Sequence, residues 1–371
     1  MSAASGNLKV DRLEVSVYTI PTEEPMESDG TLTWTATTLV VVEASAGGVT
    51  GFGFTYATGA CAVFIRDLLQ PVVMGADPMD VPGVWHRMVK AIRNMGRPGV
   101  TSMSIAAVET ALWDLKARLL ELPLARVLGL EHEAVPIYGS GGFTSYSESK
   151  LIEQLGGWVA DGIPRVKMKI GMDWGQHPER DVERVKQVRQ AIGPAAELFV
   201  DANGGYTQKQ AIRLSREFRE QGVTWFEEPV SSDHLSELRE IRDQIDIDVA
   251  AGEYGYDLFY FERMCAAGAV DVLQADVSRC AGITEWLRAA AVAASHGLQV
   301  SGHCAQSLHA HAAAAVPNLR HLEYFFDHAR ADRLLFDGVL DPRGGALHLD
   351  LSCPGMGLDL KRADAERYRV A

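Results

Sequence analysis

ELFVDANGGYTQKQAIRLSREFREQGVTWFEEP, residues 197–229, holds one complete strand–helix–strand unit. Glu197–Asp201 is a short, mostly apolar run that ends on a carboxylate, and Gly204-Gly205 then breaks it. Ala211, Leu214 and Phe218 recur at helical spacing through QKQAIRLSREFREQG. VTWFEEP returns to an apolar run, and it too ends on a carboxylate, Glu227. Two runs with like-placed acids on either side of a helix form the repeat of a parallel α/β fold.

The same unit recurs outward in both directions. VPIYGS, RVKMKIG, DVAAGEY, VDVLQAD, LQVSGHC and HLEYFF bring the candidate strands to eight, separated by helical stretches such as ERDVERVKQVRQAIG and GITEWLRAAAVAASHG. Seven ionisable residues sit near the run ends: Lys169, Asp201, Glu227, Glu253, Asp276, His303 and Glu323, about 20 to 32 positions apart. Eight such strands close into a TIM-type barrel with these charges at one mouth, although periodicity alone leaves an open α/β sheet as the alternative. Strand parity puts Lys167 with Lys169, Asp201 with Asn203, Trp225 with Glu227, Ser301 with His303 and His321 with Glu323 on common faces.

Ahead of this region the pattern differs. LKVDRLEVSVYTI and TTLVVVEASAGGVTGFGFTYA read as strands joined by an acidic loop, PTEEPMESDGTLTW, and TSMSIAAVETALWDLKARLLE reads as an amphipathic helix. The expected division is an α+β capping domain over 1–132, a barrel over 133–326, and a segment over 327–371 that lacks a clear eighth helix and returns to the cap. A net charge of −14 argues against a nucleic-acid partner. The N-terminus lacks the apolar stretch of a signal peptide, and no run reaches the length of a membrane span. Five scattered cysteines without a CxxC pair read as free thiols, which predicts a cytoplasmic protein.

Asp201, Glu227 and Glu253 end three successive strands at equal intervals of 26 residues (201 to 227, 227 to 253). A single such acid is as readily a helix cap or an arginine partner. Three together repel unless a cation neutralises them, and an all-oxygen set suits a hard ion, here one Mg²⁺. Lys167 and Lys169 share a strand face, where each depresses the other's pKa and favours a general base. Asp276 ends the strand before His303 and is placed to set its tautomer. His309 and His311 look like a metal pair but fall in a helical stretch, where i and i+2 do not share a face, so they read as structural.

KMK, VDANGGY, WFEEP, AGEYGYD, LQADVSRCAGITEW, SGHC and HLEYF, in this order, resemble the enolase superfamily, mandelate racemase subgroup. The resemblance spans nearly the whole chain. It implies a (β/α)7β barrel under a cap and a homo-oligomer. It also implies Asp201, Glu227 and Glu253 as Mg²⁺ ligands, and Lys169 and the His303–Asp276 dyad as opposing bases. Lys167 is implied as the contact to the substrate carboxylate, Glu323 as the acidic group on the enediolate, and Asn203 as a substrate contact. The expected chemistry is abstraction of a proton α to a carboxylate. With a β-hydroxyl present, loss of water gives a 2-keto-3-deoxy acid, the outcome of a hydro-lyase. Without one, the outcome is racemisation or epimerisation of a 2-hydroxy acid, and a catalytically silent binding protein is a further alternative. The acidic cap loop, with Glu24 and Asp29 as candidate binders of hydroxyl groups, favours a sugar acid.

Overall fold

The computed structural model describes residues 8–371. Residues 1–7, assigned above to the capping domain, lie outside them. The cap is built on a three-stranded antiparallel sheet of Arg12–Pro21, Ala36–Ala46 and Val49–Tyr56, with the long central strand between the other two. The helix Val100–Leu119 lies across this sheet. A Cβ on Gly51 or Gly53 would overlap the backbone of Ala107, Ala111 and Leu115, so these glycines let the helix seat closely.

Eight parallel strands form the second body: Ala134–Gly141, Arg165–Lys169, Glu197–Asp201, Val223–Glu227, Asp248–Ala251, Val272–Ala275, Gln299–Gly302 and Leu319–Phe325. Leu322–Phe325 pairs in parallel with Ile137–Ser140, so the last strand meets the first and the sheet is a closed barrel, not an open one. Inside, Tyr138, Phe199, Trp225, Ala250 and Val272 form a separate apolar plug below the mouth, with His321 packed against Trp225. The plug leaves the polar ends of the same strands to meet above it.

Glu109, fully buried midway along the cap helix, joins the two bodies. Its carboxylate accepts the amides of Ile283 (2.8 Å) and Thr284 (2.9 Å), the Thr284 hydroxyl, and the Trp113 indole N–H (2.7 Å). It thereby caps the barrel helix Ile283–Ser295 from the other domain. Gly282 (φ 101°) begins that helix, and a side chain there would overlap the Glu109 carboxylate.

The stretch after 326 departs from expectation, because a ten-residue helix, Phe326–Leu335, follows the eighth strand. Its inner face buries Asp327, His328 and Asp332, so the apolar periodicity that marks an amphipathic helix is missing. Ala346–His348 then pairs antiparallel with the first barrel strand, and Val370 and Ala371 exchange backbone hydrogen bonds with Val17 of the cap sheet (2.8 Å each). All five cysteines are free, and no described helix is long and apolar enough to cross a membrane.

Candidate active site

Register decides which charges meet. Lys169 pairs directly with Asp201, and Asp201 with Glu227, across adjacent parallel strands. Lys167 lies two residues below Lys169 on the same inward face, fully buried. Several residues just beyond the strand ends take left-handed backbone: Asn203 (φ 44°), Glu228 (φ 37°), Cys304 (φ 45°) and Ala305 (φ 43°). Such conformations are costly for residues with side chains and gather where a site over-determines the backbone.

Oxygens of Asp201, Glu227 and Glu253 lie within 4.8 Å of one another, all buried. Glu253 Oε2, Asn203 Oδ1 and Glu228 Oε1 are buried oxygens with no hydrogen-bond partner among the described residues. An all-oxygen set with orphaned acceptors beside it fits a hard divalent cation, and this is a Mg²⁺-type site. His303, Cys304 and Glu323 also converge, but Glu323 is already saturated. It accepts from the Ser140 hydroxyl (2.6 Å), the Cys304 amide (2.9 Å) and Lys167 Nζ (2.7 Å).

The lysines differ from expectation. Burial and mutual repulsion pull both down, yet Lys169 and Lys167 end above the ordinary lysine value. Lys169 is paired with Asp201. Lys167 is shared among Glu227 (2.5 Å), Glu323 (2.7 Å) and Asp201 (3.3 Å). More carboxylates than cations face the pair, so attraction outweighs the depression that two lysines alone would produce. Burial alone would raise Asp201, but Lys169 and Lys167 hold it at about 2. Glu227 is pushed up to about 8 by burial and by Asp201's charge, against the pull of Lys167 and Lys169. Glu323 stays ionised. Burial works against its charge, but Lys167 and His303 drive it well below the usual carboxylate range.

His303 Nδ1 bonds Asp276 Oδ2 at 2.8 Å, which leaves Nε2 facing the carboxylates. Nε2 comes within 3.3 Å of Glu253 Oε2 without bonding to it. Burial lowers the imidazole, but Glu253, Glu323 and Asp276 together raise it above its ordinary value. Asp276 is held well down by His303 and Arg279 against burial. His309 and His311 are structural: His309 Nε2 accepts the Val277 amide (3.0 Å) and His311 Nδ1 that of Ala125 (3.2 Å).

These groups open on a cavity of about 570 Å³ between barrel mouth and cap, lined by Lys169, Asn203, Glu253, Asp276 and His303. Asp29 lines it too, but its Oδ1 is committed to the amides of Thr31 (2.7 Å) and Leu32 (2.8 Å), shaping the loop. Glu24 is outside the lining. The loop turns so that Glu23 meets Lys150 (2.6 Å) on one side and Glu27 is buried on the other. Three residues carry signals that sequence inspection passed over. Glu228 is the second acid of EEP. Arg279 lies within LQADVSRC and bridges Glu253 (3.1 Å) and Asp276 (3.5 Å). Cys304 has its sulphur 3.3 Å from both His303 and Glu323.

Comparison with known proteins agrees with this architecture. Residues 13–129 match the mandelate racemase / muconate lactonizing enzyme N-terminal domain, and residues 150–365 match the enolase C-terminal domain-like family. A mandelate racemase/muconate lactonizing enzyme-like protein from Rubrobacter xylanophilus is 53% identical, covering 98% of this chain and 100% of that one, with a TM-score of 0.94. L-talarate/galactarate dehydratase from Salmonella typhimurium, solved with Mg and L-lyxarohydroxamate, is 27% identical, covering 100% and 95%, with a TM-score of 0.90. Arabinonate dehydratase from Saccharolobus solfataricus is 31% identical over 69% of each chain. The chain therefore belongs to the enolase superfamily, in its mandelate racemase / muconate lactonizing enzyme-like subgroup.

Proposed function

We propose that this chain is a Mg²⁺-dependent hydro-lyase that removes water across C2 and C3 of a sugar acid, by way of an enediolate, to give a 2-keto-3-deoxy acid. The observation that carries this reading is the convergence of a lysine and a His–Asp pair on one cavity beside three carboxylates. The α-proton of a carboxylate is weakly acidic because its loss puts a second negative charge beside the first. Asp201, Glu227 and Glu253 would hold a Mg²⁺ that would supply positive charge where that second charge develops.

Lys167, the ammonium deepest in the mouth, binds the substrate carboxylate. Lys169 takes the C2 proton once its charge partner Asp201 is otherwise engaged. His303, whose imidazole is raised by its acidic neighbours, delivers a proton to the C3 hydroxyl, which leaves as water. Asp276 keeps the imidazole oriented through that transfer. The resulting enol tautomerises to the ketone. The curated dehydratase relatives support the lyase outcome over racemisation.

A panel of aldonic, uronic and aldaric acids, assayed for 2-keto-3-deoxy products with solvent deuterium exchange followed in parallel, tests this. Racemisation of mandelate with no dehydration across the panel would decide for the racemase. Tight Mg²⁺ binding with no turnover or exchange would decide for a silent binding protein.

A further inference from the structure

The cavity wall beyond the catalytic groups is asymmetric in charge. Among the described residues that line the cavity, the cationic groups are Lys169, Arg279 and, when it carries its proton, His303. All three are committed at the barrel mouth, Lys169 to Asp201, Arg279 to Glu253 and Asp276, and His303 to Asp276. The cap-side wall presents threonine hydroxyls, the carboxylates of Asp29 and Asp327, and the ring of His328. Asp327 accepts the Trp34 indole N–H at 2.9 Å. The nearby Arg330 lines a separate groove and donates to the Pro21 carbonyl.

His328 is held with unusual completeness. Tyr56 from the cap sheet stacks flat on its ring (3.3 Å between centroids, 4° between planes), and Phe325 meets it edge-on at 5.0 Å. The Tyr56 hydroxyl is anchored on buried Asp332 (2.5 Å), which also accepts from Ser307 (2.6 Å). Nδ1 of His328 accepts the Ala305 amide at 3.2 Å, so the ring proton sits on Nε2. Burial drives the imidazole down to about 3, so it stays neutral and acts as a donor without charge.

A second carboxylate at the far end of a substrate would shed its water against two carboxylates with no free cation to receive it. A hydroxyl there can donate to a carboxylate and accept from His328. We infer, on the dehydratase reading above, that the substrate is a monocarboxylic polyhydroxy acid whose far end is a hydroxyl, and that His328 is the specificity residue that recognises it.

The test compares kcat/KM for keto-deoxy product on matched pairs, galactonate with galactarate and gluconate with glucarate, at fixed Mg²⁺. The monoacid of the productive pair is expected to lead by at least about tenfold, the scale of one unpaired buried charge or lost charge-assisted hydrogen bond. His328→Phe keeps the stacked ring and removes the donor. It should raise KM for the monoacid roughly tenfold with kcat within about twofold, as expected for an interaction equal in ground and transition states. Leu32→Arg, at an exposed position lining the same cavity, adds the missing cation and should move the diacid-to-monoacid ratio up by about tenfold without touching the core. Equal or better use of the diacid, or a ratio that Leu32→Arg leaves unmoved, overturns the monoacid inference and leaves the dehydratase reading standing. An unchanged KM in His328→Phe overturns the role of that residue. No keto-deoxy product from either acid, with racemisation of another carboxylate, overturns both readings.

Discussion

The buried carboxyl group of Glu27, in the cap loop, is pushed above the ordinary carboxylate range by burial and by the charge of Asp327, in the helix behind the eighth barrel strand. Glu27 Oε2 and Asp327 Oδ1 have no hydrogen-bond partner among the described residues. Tyr146 donates to the other oxygen of Glu27 (3.2 Å), and Trp34 to the other oxygen of Asp327 (2.9 Å). Asp327 lines the cavity, so this pair ties the loop to the substrate site.

Burial, followed by the charge of Asp327, pushes Glu27 from 4.5 up to about 8. A group whose pKa is raised by folding stabilises the folded state below its unfolded value, and that contribution is lost as pH rises through the folded value. The thermal midpoint of the wild type should therefore fall relative to Glu27→Gln between about pH 4.5 and 8, since glutamine keeps a donor toward Asp327 and cannot ionise. A difference that stays flat over this window would rule out a raised Glu27.

Removing any one of the three oxygen ligands should cripple the metal site. Asp201→Asn, Glu227→Gln and Glu253→Gln should each weaken Mg²⁺ binding in calorimetry and lower turnover on the order of 10³-fold. Chelator should abolish wild-type activity and added Mg²⁺ restore it. Full activity in chelator would exclude the metal role.

Lys169 and His303 should be separable by the face from which they exchange the α-proton. Lys169→Met and His303→Asn are each expected to cost on the order of 10²- to 10⁴-fold in product formation, the usual range for a positioned acid or base. Deuterium exchange at C2, followed by NMR, should be lost from one face in each variant. Normal exchange in both variants would remove these residues from the proton path.

Glu109 should matter for stability and not for chemistry, because it caps a barrel helix from the capping domain. Glu109→Ala strands the amides of Ile283 and Thr284 and the Trp113 N–H, and should lower the thermal midpoint by roughly 5–10 °C. Gly282→Ala should act in the same direction, because its side chain would overlap that carboxylate. A midpoint unchanged in both variants would mean that the joint is held elsewhere.

The residues that gather at the barrel mouth were legible in the chain because parallel strand–helix units repeat at a nearly constant interval. A strand's period of two fixes which of its side chains face inward. Lys167, Lys169, Asp201, Glu227, Asp276, His303 and Glu323 follow from that local rule alone. Closure of the sheet and the states of those groups do not. Lys169 sits above its ordinary value because Asp201, Glu323 and Glu227 surround it, and strand order and register, not local sequence, bring them there. Glu24 and Asp29 look alike in a polar loop, yet the path of the loop turns Asp29 onto its own backbone and takes Glu24 away from the cavity. The helix Phe326–Leu335 went unseen because its buried face includes Asp327, His328 and Asp332, which find partners in Trp34 and Tyr56 of the cap and in Ala305 and Ser307 of the barrel. Periodicity is a property of neighbours along the chain and can be read from sequence. Charge state, tautomer and cavity lining depend on neighbours across space, which only the folded cap and barrel supply.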